Sequence, residues 1–164
     1  MKKGVLVLLF VFLPASVLAQ EEVPRGEVGL FYEYLRNTDS DVNIHGFGIR
    51  FTGNLTRWLA LETTLGIDPK RGGAPVRFIH QEFVGKVTWR RGRGGLFGFL
   101  GPGYLNARAF GFSDTRTSLK WGGGVEFYPS RHVGFRIDVG DLVVFLPGDT
   151  SHNFILQPGI SIRF

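Results

Sequence analysis

The sequence contains no cysteine. A disulfide framework and a thiolate metal site are therefore both excluded. Charged residues make up 20%, below the roughly one quarter typical of globular domains. Past residue 20 there is no apolar run near the ~20 residues that a spanning helix needs, so no membrane-crossing helix is expected in that region. The formal net charge of +5 does not point to nucleic acid. Lys2 and Lys3 stand at the start of the chain, and the arginines are scattered apart from Arg90, Arg91 and Arg93. No basic helix or stacking-aromatic motif accompanies that cluster, so nucleic acid is not an expected partner. Glycine and phenylalanine are abundant instead, at 24 and 16 residues of 164. That length suits one domain, and the composition favours β structure with aromatic anchors.

The first residues read as a targeting segment. Lys2 and Lys3 precede an unbroken apolar run from Gly4 to Leu13, then Pro14, and Val17-Leu18-Ala19 supplies a small residue before Gln20. A positive start, a short apolar stretch and a small-residue cut site together make a secretory signal. Residues 1–19 are expected to be removed, leaving a domain over 20–164.

The remainder alternates. From Phe154 onward, Phe154, Leu156, Pro158, Ile160, Ile162 and Phe164 share one parity, and Ile155, Gln157, Gly159, Ser161 and Arg163 share the other. Successive side chains of a strand point to opposite faces, so period two means two environments. Val133, Phe135, Ile137 and Val139 alternate with Gly134, Arg136, Asp138 and Gly140, and Leu59, Leu61, Leu65 and Ile67 with Ala60, Glu62, Gly66 and Asp68. The same pattern sets Ile79, Phe83, Val87 and Trp89 against His80, Glu82, Lys86 and Thr88. It also sets Phe47, Ile49 and Phe51 against Gly46, Gly48 and Arg50. Val28, Leu30, Tyr32 and Tyr34 oppose Glu27, Gly29 and Glu33, with Phe31 and Leu35 out of step; Val125 and Phe127 oppose Gly122, Gly124 and Glu126. With a less regular segment from Leu96 to Arg108, the expected strands cover 26–36, 43–53, 58–68, 76–90, 95–108, 118–128, 132–145 and 151–164. An even number of antiparallel strands lets a meander close on itself.

A soluble eight-stranded barrel also alternates, with its apolar face inward. Here one face carries Glu27, Arg50, Glu62, Glu82, Lys86, Glu126, Arg136, Asp138 and Arg163, both signs interspersed with glycine. An eight-stranded barrel has an interior barely wide enough for its own side chains. Paired charges and glycines can fill it, whereas they would be odd walls for an apolar-ligand cavity. The charged face is therefore placed inside and the greasy face against lipid. The reading is an all-β, eight-stranded antiparallel up-and-down transmembrane β-barrel. Glu126 with Arg136, and Glu27 with Arg163, are expected to pair in its interior. Short turns near 53–57, 90–94 and 129–132 should lie on the periplasmic side with Trp89 and Phe164 at the rim. Connections near 37–42, 68–75, 109–117 and 142–150 should face outward. Pro102 and Pro158 fall inside strands and are expected to mark bulges, since each removes a ladder donor.

Gly122-Gly123-Gly124-Val125-Glu126-Phe127-Tyr128-Pro129, followed by Val133-Gly134-Phe135-Arg136-Ile137-Asp138-Val139, resembles the outer-membrane protein β-barrel family of small OmpA-like and porin-like barrels. Leu96-Phe97-Gly98-Phe99-Leu100-Gly101-Pro102-Gly103-Tyr104 resembles that family's fifth strand. Gly159-Ile160-Ser161-Ile162-Arg163-Phe164 resembles its assembly signal, carried by Ile160, Ile162 and Phe164. The resemblance implies the cell outer membrane of a Gram-negative envelope, contact with its lipid and lipopolysaccharide, and the barrel-assembly machinery and periplasmic chaperones as partners during biogenesis. The sequence stops at Phe164, so the peptidoglycan-binding domain of full-length OmpA-like proteins is not implied.

No cofactor, metal or catalytic residue is expected. The four histidines, His45, His80, His132 and His152, show no helical i, i+4 or Cys-paired spacing, although His45 and His80 could share the lumen. Ser151, His152 and Asp149 lie together, as a lipid A-modifying site would require, but adjacent strand residues point to opposite faces and the His-x-Ser spacing of the deacylases is absent. A non-enzymatic structural role in the envelope is the first reading. A narrow pore, a surface adhesin and a lipid A-modifying enzyme are the alternatives.

Overall fold

The computed structural model describes residues 24–38, 42–69, 77–109 and 112–164. The leader and its cut after Ala19 lie outside them. Eight strands follow one another: β1 (Gly26–Asn37), β2 (Asn43–Asn54), β3 (Leu59–Asp68), β4 (Arg77–Arg91), β5 (Gly94–Ala109), β6 (Phe112–Phe127), β7 (Val133–Leu146) and β8 (Asp149–Arg163). Each pairs antiparallel with the next, and β8 pairs with β1 to close the barrel. Closure satisfies every strand edge, the condition for a sheet to sit in lipid.

Registers fix the tilt. A line of paired residues from Gly26 passes through Gly53, Leu61, Gly85, Leu100, Trp121, Asp141 and Phe154, and returns to β1 at Arg36. The offset from position 26 to position 36 is a stagger of ten residues, which requires strands inclined to the barrel axis. Inclination lets side chains from distant strands meet at one level of the lumen.

The two faces separate cleanly. Leu30, Phe47, Leu61, Trp89, Leu100 and Ile162 are among the large hydrophobics exposed on the outside, each more than half exposed. Trp58, Trp89 and Phe164 are exposed near the end that holds Gly26, as an interfacial aromatic girdle would be. Phe31 and Leu35, out of step in the apolar pattern, point inward at 3% exposure.

Two expected outer connections are strand instead. β6 begins at Phe112 rather than 118, and β7 and β8 run to Leu146 and from Asp149 around Pro147-Gly148. Gly148 has φ +80°, the value that a tight turn with proline before glycine demands. The apolar alternation ends before the hydrogen-bond ladder does, and the ladder continues through residues such as Asp114–Ala107 and Thr115–Asn106.

The prolines do not make bulges. Pairing of β4 with β5 skips from Glu82–Gly103 to Gly85–Leu100, and pairing of β1 with β8 skips from Phe31–Gly159 to Tyr34–Leu156, with the register unchanged on either side. Pro102 and Pro158 open the ladder toward one neighbour, while their other neighbours pair at Leu119 and Ile137. Losing a donor requires no extra residue, and the paired strand on the far side holds the line.

Candidate functional site

Among the described residues, buried polar and charged side chains are concentrated in the lumen. The expected interior charges Glu27, Arg50, Glu62, Glu82, Lys86, Glu126, Arg136, Asp138 and Arg163 all have buried side chains. Glycines at inward positions make room for the larger groups. A Cβ at Gly122 would lie 2.9 Å from the Phe99 ring and 2.6 Å from the Gly140 backbone.

At the end nearest Gly26, Arg163 Nε lies 3.3 Å from Glu27 Oε1 and its guanidinium sits 3.7 Å from the Tyr128 ring centroid. The Tyr128 hydroxyl donates toward Glu27 at 3.3 Å. Burial, together with the Glu27 charge, holds that phenol well above its ordinary pKa, so it remains a donor. Arg90 Nε donates to Glu126 Oε1 at 2.8 Å.

At mid-barrel, Arg136 holds Glu62 through both terminal nitrogens and donates from Nε to Asp138 at 2.6 Å. Lys86 Nζ stands between Glu62 and Glu126, at 3.3 and 3.2 Å. Arg50 reaches Asp138 at 2.6 Å and Gln157 at 3.2 Å. The Phe97 ring lies 4.1 Å from the Arg136 guanidinium, and Phe31 lies 5.0 Å from that of Arg50. Such cation–π contacts are strongest where both groups are desolvated.

The expected Glu126–Arg136 pair is not made. The two are directly opposed in the β6–β7 register, yet Arg136 engages Glu62 and Asp138, and Glu126 takes Lys86 and Arg90. In so narrow a lumen, a long side chain reaches the opposite wall as easily as its neighbour. A carboxylate that can accept two parallel N–H bonds then wins. Glu27 and Arg163, also register partners, do meet.

Toward the other end, Lys120 Nζ is 2.9 Å from Gln157 Oε1 and 3.7 Å from Glu82 Oε2. Thr64 and His80 Nδ1 bond Glu82, and Gln157 donates to Glu33. His80 Nε2 faces Glu33 and Asp68. Near this end, away from Gly26, Leu35, Leu142, Val144 and Ile155 form a buried apolar cluster with Ile44 and Leu105 packed against it.

Glu33, Asp68 and Lys120, and the neutral amide of Gln157, were not named among the expected interior residues. Their parity with Glu27, Glu62, Glu126 and Arg163 was the signal available. His45 does not share the lumen with His80. It stands on the outward parity of Phe47, bonded to the Tyr32 hydroxyl and tilted against Tyr34. Ser151 accepts from Asn37 at 2.7 Å, whereas His152 Nδ1 is 2.6 Å from Asp141 Oδ2. The two are not joined. Ile160, Ile162 and Phe164 are exposed on one face.

A family model described as "Outer membrane protein beta-barrel domain" matches residues 5–164. No curated protein matches the chain. Among solved structures, the chain is similar to Ail, the attachment invasion locus protein of Yersinia pestis, with 19% identity, 85% of this chain and 96% of that chain covered, and TM-score 0.56. It is similar to the N-terminal β-barrel domain of Pseudomonas aeruginosa OprF, with 11% identity, 87% and 100% covered, and TM-score 0.64. Neisserial surface protein A gives 13% identity, 85% and 97% covered, and TM-score 0.61. At these identities the likeness concerns the fold, and it agrees with the closed barrel described above. A greasy exterior, a charge-filled interior and a family match over nearly the whole sequence lead to one assignment: the chain belongs to the outer membrane protein β-barrel domain family and is a protein of the cell outer membrane.

Proposed function

We propose that this barrel is a non-enzymatic structural component of the outer membrane whose lumen is closed by its own side chains. The observation that carries the reading is the grip of Arg136 on Glu62 and Asp138 at mid-barrel, continued by ion pairs toward both ends and by the apolar cluster in the outer half. An ion passing through would have to separate paired charges, and an unpaired buried charge costs several kcal/mol. Catalysis is disfavoured because Ser151 and His152 turn to different partners, so no nucleophile–base pair assembles there. The outward band suits membrane lipid and lipopolysaccharide. Ile160, Ile162 and Phe164 are assigned to recognition by the barrel-assembly machinery, with periplasmic chaperones carrying the chain before insertion.

Planar-bilayer recording of the purified barrel, alongside a lipid A modification assay, tests this. The expected result is no stepwise conductance from the wild type, channel activity from a Glu62→Ala/Arg136→Ala variant, and unmodified lipid A. Steady unit conductance from the wild type, unchanged in the variant, would overturn the closed-lumen reading. Altered lipid A would overturn the non-enzymatic one.

A further inference from the structure

We propose that Glu33, Asp68 and His80 form a buried site for a first-row divalent metal ion of the zinc class, set in the outer half of the lumen. One ligand atom from each of the three lies within 4.8 Å of the others. The residues come from β1, β3 and β4, so no sequence spacing announces them.

The side chains are positioned as metal ligands are. His80 bonds Glu82 through Nδ1, which leaves Nε2 directed at Glu33 and Asp68. A carboxylate holding the far nitrogen of a histidine is the arrangement that orients metal-binding imidazoles. Gln157 holds Glu33 by Oε2, which leaves Oε1 turned toward His80 Nε2. The atoms left over are the ones that converge: Glu33 Oε1, both Asp68 oxygens and His80 Nε2 are buried without a hydrogen-bond partner among the described residues. Nε2 lies 2.7 Å from Glu33 Oε1 but is not aligned for a hydrogen bond. Buried polar atoms are rarely left so, and a group of them calls for an explanation.

The backbone has been cleared for this cluster. A Cβ at Gly46 would collide with the Asp68 carboxylate, and one at Gly66 with the His80 ring. Charge argues the same way. Glu33, Asp68 and Glu82 surround His80, and Lys120 reaches Glu82 while Arg50 is committed to Asp138, so even a charged imidazole leaves one carboxylate uncompensated. A divalent ion restores the balance with a neutral imidazole. One nitrogen and two carboxylate oxygens suit zinc-class ions, with a further position open to water.

The test is to refold the full chain into detergent micelles with chelator or with zinc chloride, desalt, and measure zinc per chain and the thermal midpoint. Expected is about one zinc per chain for the wild type, with a midpoint higher than in chelator. His80→Gln and Asp68→Asn should each lose retention by at least about tenfold. Glu82→Gln, a positioning change, should weaken affinity by roughly 10–100-fold, and His132→Gln in an exposed turn should behave as wild type. Heat-modifiable gel migration establishes which variants fold, and Asp68→Asn decides if His80→Gln does not. Cobalt substitution should give a visible ligand-field spectrum that Asp68→Asn abolishes. Wild-type barrel without retained zinc and with an unchanged midpoint would overturn the site in favour of carboxyls sharing a proton. Equal retention by a folded Asp68→Asn would overturn it in favour of adventitious surface zinc.

Discussion

Arg136 on β7 and Glu62 on β3 stand on opposite walls of the barrel and are joined by both terminal guanidinium nitrogens. The contact ties the barrel across its diameter, where the strand ladders tie it only around its circumference. Breaking one partner of such a buried pair costs about 3–5 kcal/mol. Glu62→Gln is therefore expected to lower unfolding free energy in micelles by that order. A cycle with Arg136→Met should give a coupling of about 0.5–3 kcal/mol. The matching cycle between Glu126→Gln and Arg136→Met should give distinctly less, because those neighbours do not bond. Equal couplings would contradict the cross-lumen pairing.

Lipid should penalise charge by depth and by face. Leu100, near the middle of β5, is 58% exposed on the outside. Leu100→Arg is expected to cost about 2–4 kcal/mol, and Ile160→Arg, nearer the rim, less. Ser161→Thr, on the inward parity, should be mild. Refolding titrations into lipid vesicles measure all three, and the order Leu100, Ile160, Ser161 is the prediction at stake.

Two glycines on opposite faces should respond differently to a side chain. Gly122 faces inward against the Phe99 ring and the Gly140 backbone, whereas a Cβ at Gly98 would meet nothing nearer than 3.7 Å. Gly122→Val is expected to destabilise by about 1–3 kcal/mol through overpacking. Gly98→Ala should leave the denaturation midpoint nearly unchanged. A tolerated Gly122→Val would mean that the Val139–Gly140 backbone and the Phe99 ring yield.

Export should leave a chain that begins near Gln20. Intact-mass spectrometry of protein extracted from outer membranes checks the cut after Ala19. A full-length chain beginning at Met1 in the inner membrane would refute it.

Assembly in cells and folding in detergent should separate at Phe164, which is 71% exposed and contributes little to packing. Phe164→Ala is expected to slow the appearance of the heat-modifiable form in cells while refolding in micelles stays close to wild type. Equal slowing in both settings would assign Phe164 to stability instead of recognition.

The sequence by itself determined the two-faced character of the strands. Strand alternation is local, and lipid outside with charges inside is written in parity from Val28 to Phe164. That is why the strands, the closed barrel and the family were legible before any coordinates. His45, which the sequence reading allowed into the lumen beside His80, stands outside with Tyr32 and Tyr34, and its parity with Phe47 was the local signal that outweighed that reading. Strand ends away from Gly26 were less legible, since beyond the apolar band β6 keeps its ladder with residues such as Asp114 and Thr115. Partners inside the lumen were decided only by the tertiary structure. The ten-residue stagger and the narrow bore bring β3 against β7, so Arg136 leaves its register neighbour Glu126 for Glu62. The same closure gathers Glu33, Asp68 and His80 from three strands. Parity says that a side chain enters the lumen; only the tilt and closure of the barrel determine what it meets there.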